Sequence, residues 1–138
     1  KYRPEFTGLP AQIFNTDALK QDDEIPFGVL DPDEAVLVEG EVKAMVLDQL
    51  GFTAAGTPGF NAWTTQWKDF FKGYQTVYIA FDPGDTLDKA FEIAETLRTV
   101  CYQVRIATLP VKPDDFFVRY GGNIDDFVTI LKQGRLVR

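Results

Sequence analysis

The 138-residue chain contains no histidine and only one cysteine, Cys101. Ordinary zinc sites, Cys-His and Ser-His nucleophilic machinery, imidazole acid/base chemistry and an internal disulfide are therefore excluded. Basic residues are also scarce. Fourteen Lys and Arg face 21 Asp and Glu, a formal net charge of −7, which argues against a domain that grips nucleic acid by charge alone. No apolar run approaches the about 20 residues of a membrane span, and no basic segment followed by an apolar stretch marks secretion. A cytoplasmic protein with no membrane partner is expected. The chain opens at Lys1 without Met, which suggests a fragment of something longer. Any chemistry must fall to carboxylates, Lys, Arg, Tyr, backbone amides or a metal that they hold.

What is present is a well-supplied core. Apolar residues make up 45% of the chain and aromatics 14%, twelve of them Phe, so a folded single domain is expected rather than disorder. Residues 1–30 have little periodicity, contain Pro4, Gly8, Pro10, Pro26 and Gly28, and read as a leader or adaptor, with a short edge strand over Ile25–Leu30. From Asp31 the rhythm becomes α/β. Strands are predicted at Ala35–Val38, Phe52–Ala55, Gln75–Phe81 and Gln103–Leu109, the last ending at Pro110. Helices are predicted at Val42–Gln49, Thr86–Leu97, Asp114–Arg119 and Ile124–Leu131. The first should bury Val42, Met45, Val46 and Leu50 and close at Gly51. The turn Gly56-Thr57-Pro58-Gly59 precedes Trp63, Trp67, Phe70 and Phe71 at helical spacing, a pattern that suits a core face better than a base-stacking platform. Lys132, Arg135 and Arg138 read as a solvated basic tail, and Cys101 as a small buried hydrophobe. Alternating strands and helices predict a mostly parallel sheet covered on both faces.

The apolar strand Val36-Leu37-Val38 runs into Glu39-Gly40-Glu41, and Val77-Tyr78-Ile79-Ala80-Phe81 runs into Asp82, with Asp85 just beyond. Residues past the C-terminal ends of neighbouring parallel strands share one crevice. Glu39, Glu41, Asp82, Asp85, Asp114 and Asp115 would gather there, and clustered carboxylates repel unless a cation or shared proton intervenes. Hard oxygen donors without His or Cys select Mg²⁺ or Mn²⁺, and such an ion completes its shell with phosphate and water. That chemistry suits phosphoryl transfer or strand cleavage. The plainer alternative is that these acids merely cap helices and line wet loops. Gly56-Thr57 could offer amides to a phosphate or be a simple turn, since the lysine and length of a P-loop are missing. Lys43 could face the crevice, offsetting its charge or meeting a phosphate, or lie in solvent.

The run Val36–Ala44, followed by Gly56-Thr57-Pro58-Gly59, Val77–Asp82 and then Lys112-Pro113-Asp114-Asp115-Phe116-Phe117, resembles the Toprim domain over residues 31–120. This catalytic module is shared by bacterial-type primases, type IA and type II topoisomerases and some nucleases, and the primase or phage primase-helicase flavour is the closest. The resemblance implies a Toprim/Rossmann-like α/β fold over 31–138. It also implies Mg²⁺ or Mn²⁺, a single-stranded DNA template, nucleotide triphosphates and a replicative helicase or flanking helicase domain as partners. By position, Glu39 matches the family's glutamate, a general acid/base or metal ligand, and Asp82 the first aspartate of its Asp-x-Asp metal motif. Glu39, Asp82 and Lys43 are then the candidate catalytic residues. Glu39, Asp82, Asp85 and Asp114 are the metal ligands, and Gly40, Gly56 and Thr57 the phosphate-facing turns. Two departures stand out. Gly84 occupies the place of the motif's second aspartate, with Asp85 one residue late, and Lys43 stands where the family often has Asp. Primer synthesis, phosphodiester cleavage and a degenerate, non-catalytic module are the readings the resemblance leaves. A phosphoacceptor receiver domain would want its acidic pair near the chain start and a lysine after a later strand, for which Lys112 is poorly placed.

Overall fold

The computed structural model describes residues 13–19, 29–58, 62–84 and 87–138. The five strands are β1 Glu34–Glu39, β2 Ala54–Thr57, β3 Thr76–Ile79, β4 Gln103–Ile106 and β5 Arg135–Leu136, and the helices are α1 Glu41–Gln49, α2 Leu87–Leu97, α3 Pro113–Val118 and α4 Ile124–Lys132. They form one sheet in the order β2-β1-β3-β4-β5, parallel throughout except for the antiparallel β5. The expected mostly parallel α/β sheet, covered on both faces, is what the chain builds.

Alternation along β1 explains the two-sided burial. Ala35 and Leu37 join Val77, Ile79, Val104 and Ile106 on one face, sealed by Ala90, Ile93, Ala94 and Leu97 of α2. Val36 and Val38 point the other way, with Tyr78, beneath Ala44 and Leu47 of α1 and Phe127 and Leu131 of α4. Every residue of β1 is buried, so this strand reads as a continuous apolar run bounded by acids, as a central parallel strand should. Its N-terminal acid, Glu34, is reconciled with burial by accepting from the Tyr78 hydroxyl (2.5 Å) and the Asp31 amide (3.2 Å).

Several boundaries move. β2 begins two residues later than expected, so Gly56 and Thr57 are strand residues paired with Val38 and Glu39 rather than a turn. β3 and β4 stop at Ile79 and Ile106, short of Phe81 and Leu109. α1 buries Ala44 and Leu47 and leaves Val42 and Met45 exposed. α1 crosses close to β2, with Ala44 facing Gly56 so tightly that a Cβ at Gly56 would lie 3.1 Å from Ala44 Cβ. The aromatic segment forms a 3₁₀ helix, Thr65–Phe71, with Phe71 in the core. Trp63 and Trp67 pack against that core edge to face (ring centroids 5.8 Å), and the Trp63 indole N–H donates to Thr96 Oγ1 at 3.2 Å. Cys101 is buried as expected, its thiol donating to Leu97 O at 3.0 Å, and burial pushes its pKa up to about 11.

The basic tail is not a free end. Arg135 pairs with Ile106 in β5 and its guanidinium lies 4.8 Å from the Phe91 ring centre, while Arg105 donates to Gly134 O at 2.8 Å. In the leader, a 3₁₀ turn at Thr16–Leu19 packs on the core, with Tyr74 Oη donating to Leu19 O (2.8 Å) and Phe14 bridging Gly56 antiparallel. The edge strand expected at Ile25–Leu30 falls mainly outside the described residues, and Val29–Leu30 form a bend.

Candidate functional site

In the strand order, the chain goes from β1 outward to β2 and then returns to the other side of β1 as β3. This reversal leaves a crevice at the C-terminal ends of β1 and β3, where open α/β sheets bind ligands. Glu39 ends β1, and Asp82 follows β3 by three residues. The two are tied together, because the Asp82 amide N–H donates to Glu39 Oε1 at 2.8 Å. Lys43 in the first turn of α1 reaches the same point, its Nζ 3.3 Å from Asp82 Oδ2. The geometry thus brings Glu39, Asp82 and Lys43 into one place, and it puts Lys43 in the crevice rather than in solvent.

Electrostatically the centre of the site is Glu39, which is only 8% exposed. Burial raises its pKa above the ordinary carboxylate value and the neighbouring Asp82 charge adds to that, while the Asp82 amide, Lys43 and Lys112 pull it back. Lys112 precedes α3, and its influence on Glu39 is a contribution that the sequence alone did not bring out. Its clue was the Lys-Pro-Asp-Asp stretch, which delivers a cation to the crevice just ahead of the helix.

Gly40, Gly56 and Thr57 build the floor. Gly40 caps α1 and donates its N–H to Thr57 O at 2.6 Å. A Cβ on Gly56 would overlap the Gly40 carbonyl oxygen and lie 3.1 Å from Ala44 Cβ, so glycine there allows the backbone after β1 to pass directly over β2. Thr57 pairs with Glu39 in register and is fully buried, with a hydroxyl that has no hydrogen-bond partner among the described residues.

Asp114 and Asp115 sit in the first turn of α3, anchored by Phe116 and Phe117, whose rings lie 5.0–6.3 Å from one another and from Phe52 and Phe127. Among the described residues, no three acidic side chains gather closely enough to hold a metal ion, so Asp114 does not join Glu39 and Asp82 in such a group. Asp85 lies outside the described residues. Next to Asp82 an apolar pocket opens between β3, β4 and α2, lined by Phe81, Gly84, Leu87, Ala90, Ile106 and Leu109.

Gly84 does not read as a simple loss of a side chain. Its φ is +121°, where an L-residue is strained, although a Cβ would meet nothing within 4 Å. The turn after Asp82 takes a backbone conformation that favours glycine at position 84. Gly84→Asp is accordingly expected to cost about 1–2 kcal/mol in urea unfolding. Wild-type stability would mean that the turn re-forms freely around an aspartate.

The donor set suits a hard divalent cation in kind. It offers two carboxylates on residues joined by a hydrogen bond and, on the strand residue paired with Glu39, a buried threonine hydroxyl with no partner among the described residues, and neither imidazole nor thiolate. Two carboxylates are also enough in number for a Mg²⁺ that draws its remaining ligands from phosphate and water.

No protein-family model matches the chain. It is 25% identical over 115 residues to the Gene 57 protein of Mycobacterium phage D29, covering 81% of this chain and 68% of that protein. Two solved structures share its fold. The zinc-binding and RNA polymerase domains of the Aquifex aeolicus primase superpose with a TM-score of 0.60 at 20% identity, over 75% of this chain and 26% of that one. The primase fragment of the bacteriophage T7 primase-helicase superposes with a TM-score of 0.58 at 19% identity, over 72% and 43%. The chain therefore has the Toprim-type α/β fold of those primases, and it spans under half of either solved chain.

Proposed function

We propose that the crevice carries out metal-dependent nucleotidyl transfer on a nucleic-acid template, as the Toprim module of a primase-like replication protein in the cytoplasm. The observation that carries this reading is the junction of Glu39 and Asp82 at the reversal of strand order, joined by a 2.8 Å hydrogen bond. The fold shared with two primases and the sequence similarity to a phage protein support it. Residues 31–138 form the module in this reading, and residues 1–30 are an accessory segment.

Glu39 and Asp82 would hold Mg²⁺ or Mn²⁺, with Asp85 as a further candidate ligand and phosphate and water completing the shell. An ion held there would supply positive charge to the triphosphate oxygens and would lower the pKa of a primer hydroxyl. The chain's own part is orientation. The Asp82 amide fixes the Glu39 carboxylate in the orientation that metal binding needs. Lys43 faces the phosphates, while Gly40 and Gly56, whose N–H groups are committed to Thr57 O and Phe14 O, and Thr57 shape the floor beneath them. With a net charge of −7, the chain leaves most of its grip on single-stranded template to a flanking domain or a replicative helicase. No helix among the described residues is long and apolar enough to cross a membrane.

A second reading, a degenerate module that binds nucleic acid or a replication partner without catalysis, draws on two observations. Gly84 stands where the motif's second aspartate belongs, and the described residues contain no three-acid group. One experiment separates the readings. The protein is incubated with a single-stranded DNA template, labelled ribonucleotides and Mn²⁺, and Asp82→Asn is run in parallel. Incorporation that Asp82→Asn abolishes is the expected result. Cleavage of the template without nucleotides would identify a Toprim-type nuclease instead, and no turnover by either protein would favour the degenerate module.

A further inference from the structure

Lys43 stands where the helix it belongs to disfavours it. It is the third residue of α1, in the first turn, where unpaired backbone N–H groups present the positive end of the helix dipole and a cation is unfavourable. Its side chain does not escape to water. Lys43 and Asp82 are only 18% and 19% exposed, and the ammonium lies 3.3 Å from Asp82 Oδ2. The ammonium lies over the turn at Gly40, where a Cβ would sit 3.9 Å from Lys43 Nζ, an ordinary contact. The two residues before Lys43 on the helix, Glu41 and Val42, are exposed. Lys43 therefore folds back over the turn into the crevice, and what holds it there is the negative charge of Asp82 and Glu39.

Resting on the metal-dependent reading above, we propose that Lys43 is the resident cation of this crevice. It neutralises Asp82, holds the Glu39–Asp82 pair to a single divalent ion, and passes to the triphosphate when a nucleotide enters. Charge balance is the argument. The two carboxylates are offset by the Lys43 ammonium in contact with Asp82 and, from farther away, by Lys112, so a single divalent ion already leaves the site positive. A second such ion would meet a site already positive, in surroundings where charges act over several ångströms with little screening. Incoming phosphates reverse that balance. An ammonium on a flexible four-carbon stem can then leave Asp82 for a phosphate oxygen without any movement of the backbone.

The test counts bound Mn²⁺ from the electron paramagnetic resonance signal of the free ion, in the wild type and in Lys43→Met, Lys43→Arg and Asp82→Asn, with and without inorganic tripolyphosphate. Thermal unfolding of each variant checks that it folds, and Lys43→Gln replaces Lys43→Met should the latter not fold. The wild type should bind one Mn²⁺ weakly, and Lys43→Met should bind it roughly tenfold more tightly because a competing charge is gone. Lys43→Arg should behave as the wild type. Tripolyphosphate should tighten Mn²⁺ binding in the wild type and do so less in Lys43→Met. Equal Mn²⁺ affinity in wild type and Lys43→Met, with binding lost in Asp82→Asn, would overturn the role of Lys43 and leave the metal site standing. Absence of Mn²⁺ binding from the wild type and every variant, even with tripolyphosphate, would overturn both.

Discussion

Replacing Gly56 by alanine is expected to cost about 3 kcal/mol of folding stability, at the upper end of what one inserted methyl does to a packed interior. The obstacle is backbone, which cannot rotate away as a side chain would: the new Cβ would overlap the Gly40 carbonyl oxygen and press on Ala44 Cβ. Gly56 is also fixed from the opposite side, exchanging hydrogen bonds with Phe14 at 2.7 and 3.0 Å. Relief therefore requires β2 to separate from the turn after β1, which breaks the 2.6 Å bond from Gly40 N–H to Thr57 O. That turn carries Glu39, so Mn²⁺ binding should weaken along with the urea midpoint. Unchanged stability would show that the turn over β2 yields, and that the crevice floor is softer than its close contacts imply.

Gly56 also shows where reading the sequence reached its limit. Gly56-Thr57-Pro58-Gly59 has the composition of a turn. Its first two residues are strand only because the chain after β1 needs a position without a side chain beneath it. That requirement arises between segments 16 residues apart and leaves no local signature. The same contact explains α1, where Ala44 faces the sheet because it is small, and the larger Val42 and Met45 are turned outward. A hydrophobic pattern alone chose the wrong face. β5 was equally hidden: two residues make no periodicity, and they are held by β4, by Arg105 on Gly134 O and by Arg135 over Phe91. The 3₁₀ turn Thr16–Leu19 depends likewise on a distant partner, the Tyr74 hydroxyl.

The central strands announce themselves as apolar runs ending in acids, since a strand buried on both faces has no polar side to interrupt it. α2 and α4 form where the spacing predicts helices, and α2 buries Ala90, Ala94 and Leu97 of its expected face but adds Ile93 and leaves Leu87 exposed. Because parallel strands end on the same edge of the sheet, Glu39 and Asp82 could be placed together from their positions alone. Their hydrogen bond, the inward turn of Lys43 and the reach of Lys112 depend on side-chain and loop geometry that no spacing rule encodes.

Glu39→Gln should stabilise the fold while it removes metal binding, and the opposite signs separate a functional carboxylate from a structural one. The glutamine keeps the volume and can still accept from the Asp82 amide, so little packing is lost. What disappears is a buried negative charge beside another. Because burial lifts the folded-state pKa of Glu39 above its ordinary 4.5, the native protein binds more protons than the unfolded chain between those two values. Wild-type stability therefore falls as pH rises through that window, and the penalty is fully present above it. The variant lacks this step, so it should be the more stable protein near pH 7 by roughly 1 kcal/mol, as is common when a functional charge is removed. Mn²⁺ affinity should fall at the same time by about 100-fold or more, the scale on which even groups behind the ligands act. Urea unfolding from pH 4 to 8 and Mn²⁺ titration of both proteins measure the two effects. A variant less stable than the wild type at pH 7, with Mn²⁺ binding intact, would make Glu39 a structural cap for the loop after β3 and remove it from the proposed metal site.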